Sequence, residues 1–130
     1  MSSITLYINT TSPDEIIIAL RLGDKVLAQQ KLAAPRTQAE KLLPAIERLL
    51  KKNKVALSSL QKIIVANQGG SFTSLRIGVI TANALAYALK IPVLAEPENT
   101  KQNKKFGAYS LVEPLYDQAP NIGISKKAKF

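Results

Sequence analysis

Apolar and polar positions along this chain switch between two periods, and the switches predict its elements. Ile4–Ile8 alternates, and Glu15–Arg21 and Lys25–Leu32 are rich in strand-forming aliphatic residues. Three strands are expected there. Gly23-Asp24 between the second and third runs is a hairpin signal. Over 36–52 the period changes to that of a helix. Ala39, Leu42, Leu43, Ile46, Leu49 and Leu50 share one face, while Arg36, Glu40, Lys41, Glu47, Arg48, Lys51 and Lys52 lie mostly opposite. Pro44 falls on the polar face and removes one helical hydrogen bond, so a bend is expected there. Lys54–Leu60 reads as a connection holding one short turn, and Lys62–Ala66 as a fourth strand.

The chain is organised around residues 65–95: a strand end, a Gly69-Gly70 turn, a long apolar helix over 74–90 and a short fifth strand at Val93–Ala95. Ser71 or Thr73 is suited to cap that helix, Lys90 suits its C-terminal end, and Pro92 stops it. At about 100° per residue, Leu75, Val79, Ala82, Ala86 and Leu89 fall on one face. Ile77, Ile80, Ala84 and Ala88 fall on the other, with Tyr87 at its edge. A helix apolar on both sides is buried on more than one side. One side can take the domain's own sheet, and the second needs another layer or another protein.

The order βββαβαβ predicts three antiparallel strands extended by two parallel ones, with helices packed on the sheet: an α/β, ribonuclease-H-like lobe. The lobe is assigned to 1–95. Residues 96–110 read as a polar linker without elements, and 111–130 as a closing segment with a basic tail. There are no internal repeats.

The 130 residues suffice for one domain with a core, and 46% apolar content makes it globular. The absence of cysteine and histidine excludes disulfides, thiolate metal sites, a cysteine nucleophile and a Ser–His–Asp triad. The net charge of +9 favours contact with nucleic acid or another anionic surface. Lys101, Lys104, Lys105, Lys126, Lys127 and Lys129 gather in the C-terminal segments, where they suit an auxiliary, salt-dependent contact with nucleic-acid phosphates. No run approaches the roughly 18 residues of a membrane span, and no secretory signal opens the chain. A cytoplasmic location is expected.

QGGSFTSLRIGV at 68–79 resembles the GPGSFTGLRIG signature of the TsaB (YeaZ) family, part of the actin-like ATPase superfamily and related to TsaD/Kae1 proteins. LYINTTSPDEIIIAL resembles that family's opening, PRTQAEKLLPAIERLL its first helix, and IPVLA at 91–95 its following strand. EPLYDQAPNI at 113–122 is similar to its closing Pro-x-Tyr segment. This chain departs in carrying Asn9 for the usual aspartate, Gly69 and Ser74 for a signature Pro and Gly, and Gln38 for a frequent histidine. It also resembles a minimal member without the second lobe.

The resemblance implies a role in making threonylcarbamoyl-adenosine in tRNA, with TsaD carrying the metal and the transfer chemistry, TsaE an ATPase, and TsaB the scaffold. Family members pair through the two helices of the first lobe. Leu42, Arg76, Ile80, Asn83, Ala84 and Tyr87 are therefore the candidate partner contacts. The chain is expected to be non-catalytic, with a TsaD/Kae1-like partner, TsaE as a further one, a homodimer as a competing state, and tRNA as the nucleic acid that the basic C-terminal segments would contact. The alternative is a nucleotide-binding or hydrolysing remnant of the actin-like superfamily. Its candidates are Asn9, Thr10, Gly70, Ser71, Thr73 and Arg76, whose amides and hydroxyls suit a phosphate at a helix N-terminus. An actin-like site lies between two lobes, so no cofactor is expected on the chain alone. ATP or ADP would bind only at an interface shared with TsaD.

Overall fold

The computed structural model describes residues 3–68, 72–96, 103–106 and 109–112. Three strands open the chain: β1 (Ile4–Asn9), β2 (Glu15–Leu22) and β3 (Lys25–Ala33). β1 pairs antiparallel with β2, and β2 with β3. The β2–β3 turn places Gly23 at φ +61°, which the first central position of a type II′ hairpin turn requires. Helix α1 (Gln38–Lys52) then crosses to β4 (Leu60–Ala66), which runs parallel to β1. Helix α2 (Phe72–Leu89) crosses to β5 (Val93–Glu96), parallel to β4. The sheet order is β3-β2-β1-β4-β5, the ribonuclease-H-like arrangement expected from the sequence.

Both helices pack on one face of the sheet, because one core cluster joins them to it. Leu6 and Ile8 from β1, Ile16, Ile18 and Leu20 from β2, and Ile63 and Val65 from β4 are fully buried. Leu42, Ala45, Ile46 and Leu49 of α1, and Val79, Ala82 and Ala86 of α2, close over them. Strand alternation dictates this division: residues two apart share a face. The intervening positions, including Thr5, Tyr7, Arg21, Lys62 and Ile64, point to the side opposite α1 and α2.

Both helices end in the same way. Val55 N–H bonds to Leu50 C=O at 2.9 Å and Lys54 N–H to Lys51 C=O at 3.1 Å. Ile91 N–H bonds to Ala86 C=O at 3.0 Å and Lys90 N–H to Tyr87 C=O at 3.3 Å. These are Schellman motifs, with Lys54 (φ 56°) and Lys90 (φ 59°) in the left-handed position usually given to glycine. Pro44 is accommodated within an unbroken α1.

The stretch 96–110, expected to be free of elements, differs. Glu96 ends β5, and Asn103–Phe106 (β6) pairs antiparallel with Tyr109–Val112 (β7). Four-residue strands leave too short a run for alternation to register. The closing segment from 113 onward lies outside the described residues.

Candidate functional site

The outer side of α2 carries a stripe that the sheet does not cover. Arg76, Ile80, Ala84 and Tyr87 are exposed and Asn83 is half-buried. Their spacing of three and four residues puts them on one helical face. Ile80 is 57% exposed and Tyr87 61%. The inward face of the same helix holds Leu75, Val79, Ala82 and Ala86. The two-sided apolarity of the sequence thus resolves into one core face and one outward face.

Helix α1 extends this surface through Leu43, 52% exposed, whereas Leu42 is 1% exposed and lies in the core. The expectation that Leu42 meets a partner is corrected by this placement. The buried arc of α1 starts at Gln38 and runs through Leu42, Ala45, Ile46, Leu49 and Leu50. That rotation turns Leu43 outward. Between the helices a hollow of 380 Å³ is lined by Leu43, Ile46, Leu50, Val55, Leu57 and Leu85, with Glu47 and Lys51 at its rim. A second, of 330 Å³, lies among Ala39, Arg76, Ile77, Ile80 and Thr81. Leu43, which periodicity placed on the apolar face of α1, and Leu57 are members of this surface that were not among the candidate contacts.

At the carboxyl ends of β1 and β4 lie the residues read as phosphate contacts. Thr10 is fully buried. Its hydroxyl donates to Ser74 C=O at 2.6 Å and accepts from Gly78 N–H at 3.1 Å. Both bonding directions are engaged inside the protein, so the expectation of Thr10 as a nucleotide contact is corrected. Asn9 is engaged as well. Its Oδ1 accepts from Thr11 N–H at 2.9 Å and Thr11 Oγ1 at 2.7 Å, and its Nδ2 donates to Tyr7 Oη at 3.0 Å. Thr73 is exposed on the first turn of α2 and is therefore not its cap. Gly70 and Ser71 lie outside the described residues. Of the six nucleotide candidates, the structure brings Thr73 and Arg76 together, on the wall of the 330 Å³ hollow.

Gln38 is a structural residue of this end. It is buried, and its Nε2 donates to Ser12 C=O at 2.5 Å and Glu15 C=O at 3.0 Å. It clamps the first loop onto the start of α1. Tyr7, on the opposite sheet face, is buried and sits beneath Arg21, whose guanidinium carbon is 4.5 Å from the ring centre. Burial, together with its hydrogen bond to the Glu96 carboxylate, pushes the Tyr7 phenol up to about 12.

The sheet order and the one-sided pair of helices define a ribonuclease-H-like α/β lobe. A family model described as "TsaD: tRNA N6-adenosine threonylcarbamoyltransferase" matches residues 24–97. The tRNA threonylcarbamoyladenosine biosynthesis protein TsaB of Bacillus subtilis is 36% identical over 91 residues, covering 70% of this chain and 40% of that protein. Its namesake in Haemophilus influenzae is 30% identical over 95 residues, covering 72% and 39%. The solved structure of YeaZ from Pseudomonas aeruginosa superposes with a TM-score of 0.66 at 34% identity, over 72% of this chain and 43% of that one. The chain belongs to the TsaB/YeaZ family, within the wider TsaD family of that model. It spans about 40% of the length of the curated relatives it matches. Among the described residues no helix is long and apolar enough to cross a membrane.

Proposed function

We propose that this chain is a non-catalytic subunit that binds a TsaD-type enzyme through the α1–α2 surface and serves tRNA threonylcarbamoyladenosine biosynthesis. The observation that carries this reading is the outward stripe of Ile80, Ala84 and Tyr87 beside Leu43, on helices whose inner faces are already filled by the core. Exposed apolar groups held on rigid helices favour a protein partner, and tyrosine and arginine are enriched among residues that dominate binding energy. The internal engagement of Asn9 and Thr10 weighs against independent phosphoryl chemistry at the first loop.

The test is association. The purified chain is mixed with the TsaD-type protein of the same source, and masses are read by light scattering after size-exclusion chromatography. A one-to-one complex is expected, lost in the Ile80→Asp/Tyr87→Ala variant while its circular dichroism and melting stay native. The same surface is self-complementary in principle, and a two-fold homodimer is the second reading. A stable homodimer with no affinity for the enzyme, with or without nucleotide and tRNA, overturns the proposed role.

A further inference from the structure

The sheet face opposite α1 and α2 holds a different kind of site. Strand register puts Val26, Arg21, Thr5 and Lys62 in one row across β3, β2, β1 and β4: Arg21 lies opposite Val26 and Thr5, and Thr5 opposite Lys62. With strands about 4.8 Å apart, the row sets the backbones of Arg21 and Lys62 roughly 10 Å from each other with Thr5 between them. Both register irregularities of the sheet fall at this row. One lies between Leu20 and Arg21 against β3, where Leu27 is the extra residue. The other lies between Ile4 and Thr5 against β4, where Gln61 is the extra residue. Bulges re-aim side chains and gather next to functional sites. Without the Gln61 bulge, Thr5 would face a neighbour of opposite orientation instead of Lys62.

The row opens onto a cavity of 550 Å³ that also takes in Ile64 and Leu94. Ile64 and Leu94 are paired across β4 and β5, one step along the same face. The cavity is within the size range of small-molecule sites. Neither Arg21 nor Lys62 has a carboxylate within 4.0 Å among the described residues. Arg21 is held by stacking on Tyr7, which orients its guanidinium while leaving its N–H fork available. Asp24 and Glu96 also line the cavity. Glu96 is tied to the Tyr7 phenol, and Asp24 lies on the β2–β3 turn. Neither lies within ion-pair distance of Arg21 or Lys62.

We propose that this cavity binds a small amphiphilic anion, its carboxylate or phosphate head on Arg21, Thr5 and Lys62 and its apolar body along Ile64 and Leu94. Arginine suits the bidentate grip on such a head, lysine supplies a point charge, and threonine donates a hydroxyl hydrogen bond. The site lies on the sheet face away from α1 and α2, so a partner there leaves it open. It is independent of the scaffold reading.

The test titrates the full chain with octyl phosphate and, separately, octanoate, each below its micelle concentration, and follows backbone amide shifts by NMR. Saturable shifts at Thr5, Lys62, Ile64 and Leu94 are expected. Saturation by octyl phosphate alone assigns a phosphate head, by octanoate alone a carboxylate, and by both an undiscriminating anion site. Arg21→Gln and Lys62→Gln are each expected to weaken binding about tenfold, the scale of a charge-assisted hydrogen bond. Ile80→Asp is expected to leave it unchanged. Among the described residues Lys62 makes no ion pair and no cation–π contact, so Lys62→Gln reads the head-group contact even where Arg21→Gln disturbs Tyr7. Absence of saturable shifts with both amphiphiles overturns the proposal. Shifts confined to α2, or affinities unaltered by Lys62→Gln in a natively melting protein, overturn it equally.

Discussion

The Thr10 hydroxyl enters helix α2 at Gly78. It accepts from Gly78 N–H and donates to Ser74 C=O, the two groups that α-helical geometry joins to each other. A Cβ built on Gly78 would lie 2.5 Å from Thr10 Oγ1 and 3.4 Å from its Cγ2. The glycine is therefore there for close approach, and the loop after β1 is locked to the helix that carries the exposed stripe. Gly78→Ala is expected to destabilise by about 1–3 kcal/mol, as overpacked cores do. Thr10→Ala removes the clashing atom, so the double variant should lose less than the sum of the singles. Urea unfolding of the four proteins measures this coupling. Strict additivity would mean that the two residues do not constrain each other.

Leu42 and Leu43 are adjacent in sequence and opposite in consequence. Leu42 fills the core, and Leu43 faces outward beside the hollow between the helices. Leu42→Ala is expected to cost about 2–5 kcal/mol through lost burial and a residual cavity. Leu43→Ala should stay within about 0.5 kcal/mol of the parent, yet weaken association with a TsaD-type partner. Denaturant unfolding gives the first quantity and light-scattering chromatography the second. A large stability loss in Leu43→Ala would contradict the orientation of α1.

The five strands and two helices were legible because each buries one face, and burial imposes a period of two or of about 3.6. The rotation of α1 was not. Leu42 and Leu43 both fall within the apolar arc, and buried Gln38 decides between them by bonding to Ser12 and Glu15 carbonyls. A polar residue at the head of a buried arc carries no hydropathy signal. Thr10 misled for a related reason. A hydroxyl in a loop before a helix suits a phosphate, and it equally suits a helix backbone 64 to 68 positions away. Residue type is the same in both cases; only tertiary contact separates them. The two apolar faces of α2 were legible from its period, but which of them faces outward depends on the sheet that covers Leu75, Val79, Ala82 and Ala86.

The two helix C-termini offer a gain. Lys54 and Lys90 adopt the left-handed conformation that costs a residue with a Cβ roughly 1–2 kcal/mol. Both are followed by an apolar residue, Val55 or Ile91, packed against the core, which fixes the motif in place. Lys90→Gly is expected to stabilise by about 0.5–1 kcal/mol after the added unfolded-state entropy of glycine is offset. Thermal unfolding should show a rise in midpoint, with Lys90→Ala showing none. A fall with glycine would place Lys90's side chain, and not its backbone, at the centre of its role.

Tyr7 gives the protein an alkaline limit of its own. Its phenol is pushed up to about 12 by burial and by its hydrogen bond to Glu96, from the ordinary value of 10.0. The folded state thus holds this proton more tightly than the unfolded state. Between pH about 10 and 12 the unfolded chain has released it while the folded chain retains it. Unfolding then releases a proton, and stability falls as pH rises. The contribution is complete below the unfolded value and amounts to at most about 2–3 kcal/mol. Tyr7→Phe removes the titrating group. Its stability at neutral pH should be lower, because Asn9 loses a partner, and its decline above pH 10 should be shallower than the parent's. Urea midpoints from pH 8 to 11.5 separate the two effects, since lysine titration is common to both proteins. Parallel curves for parent and variant would show that Tyr7 ionises alike in the folded and unfolded chains.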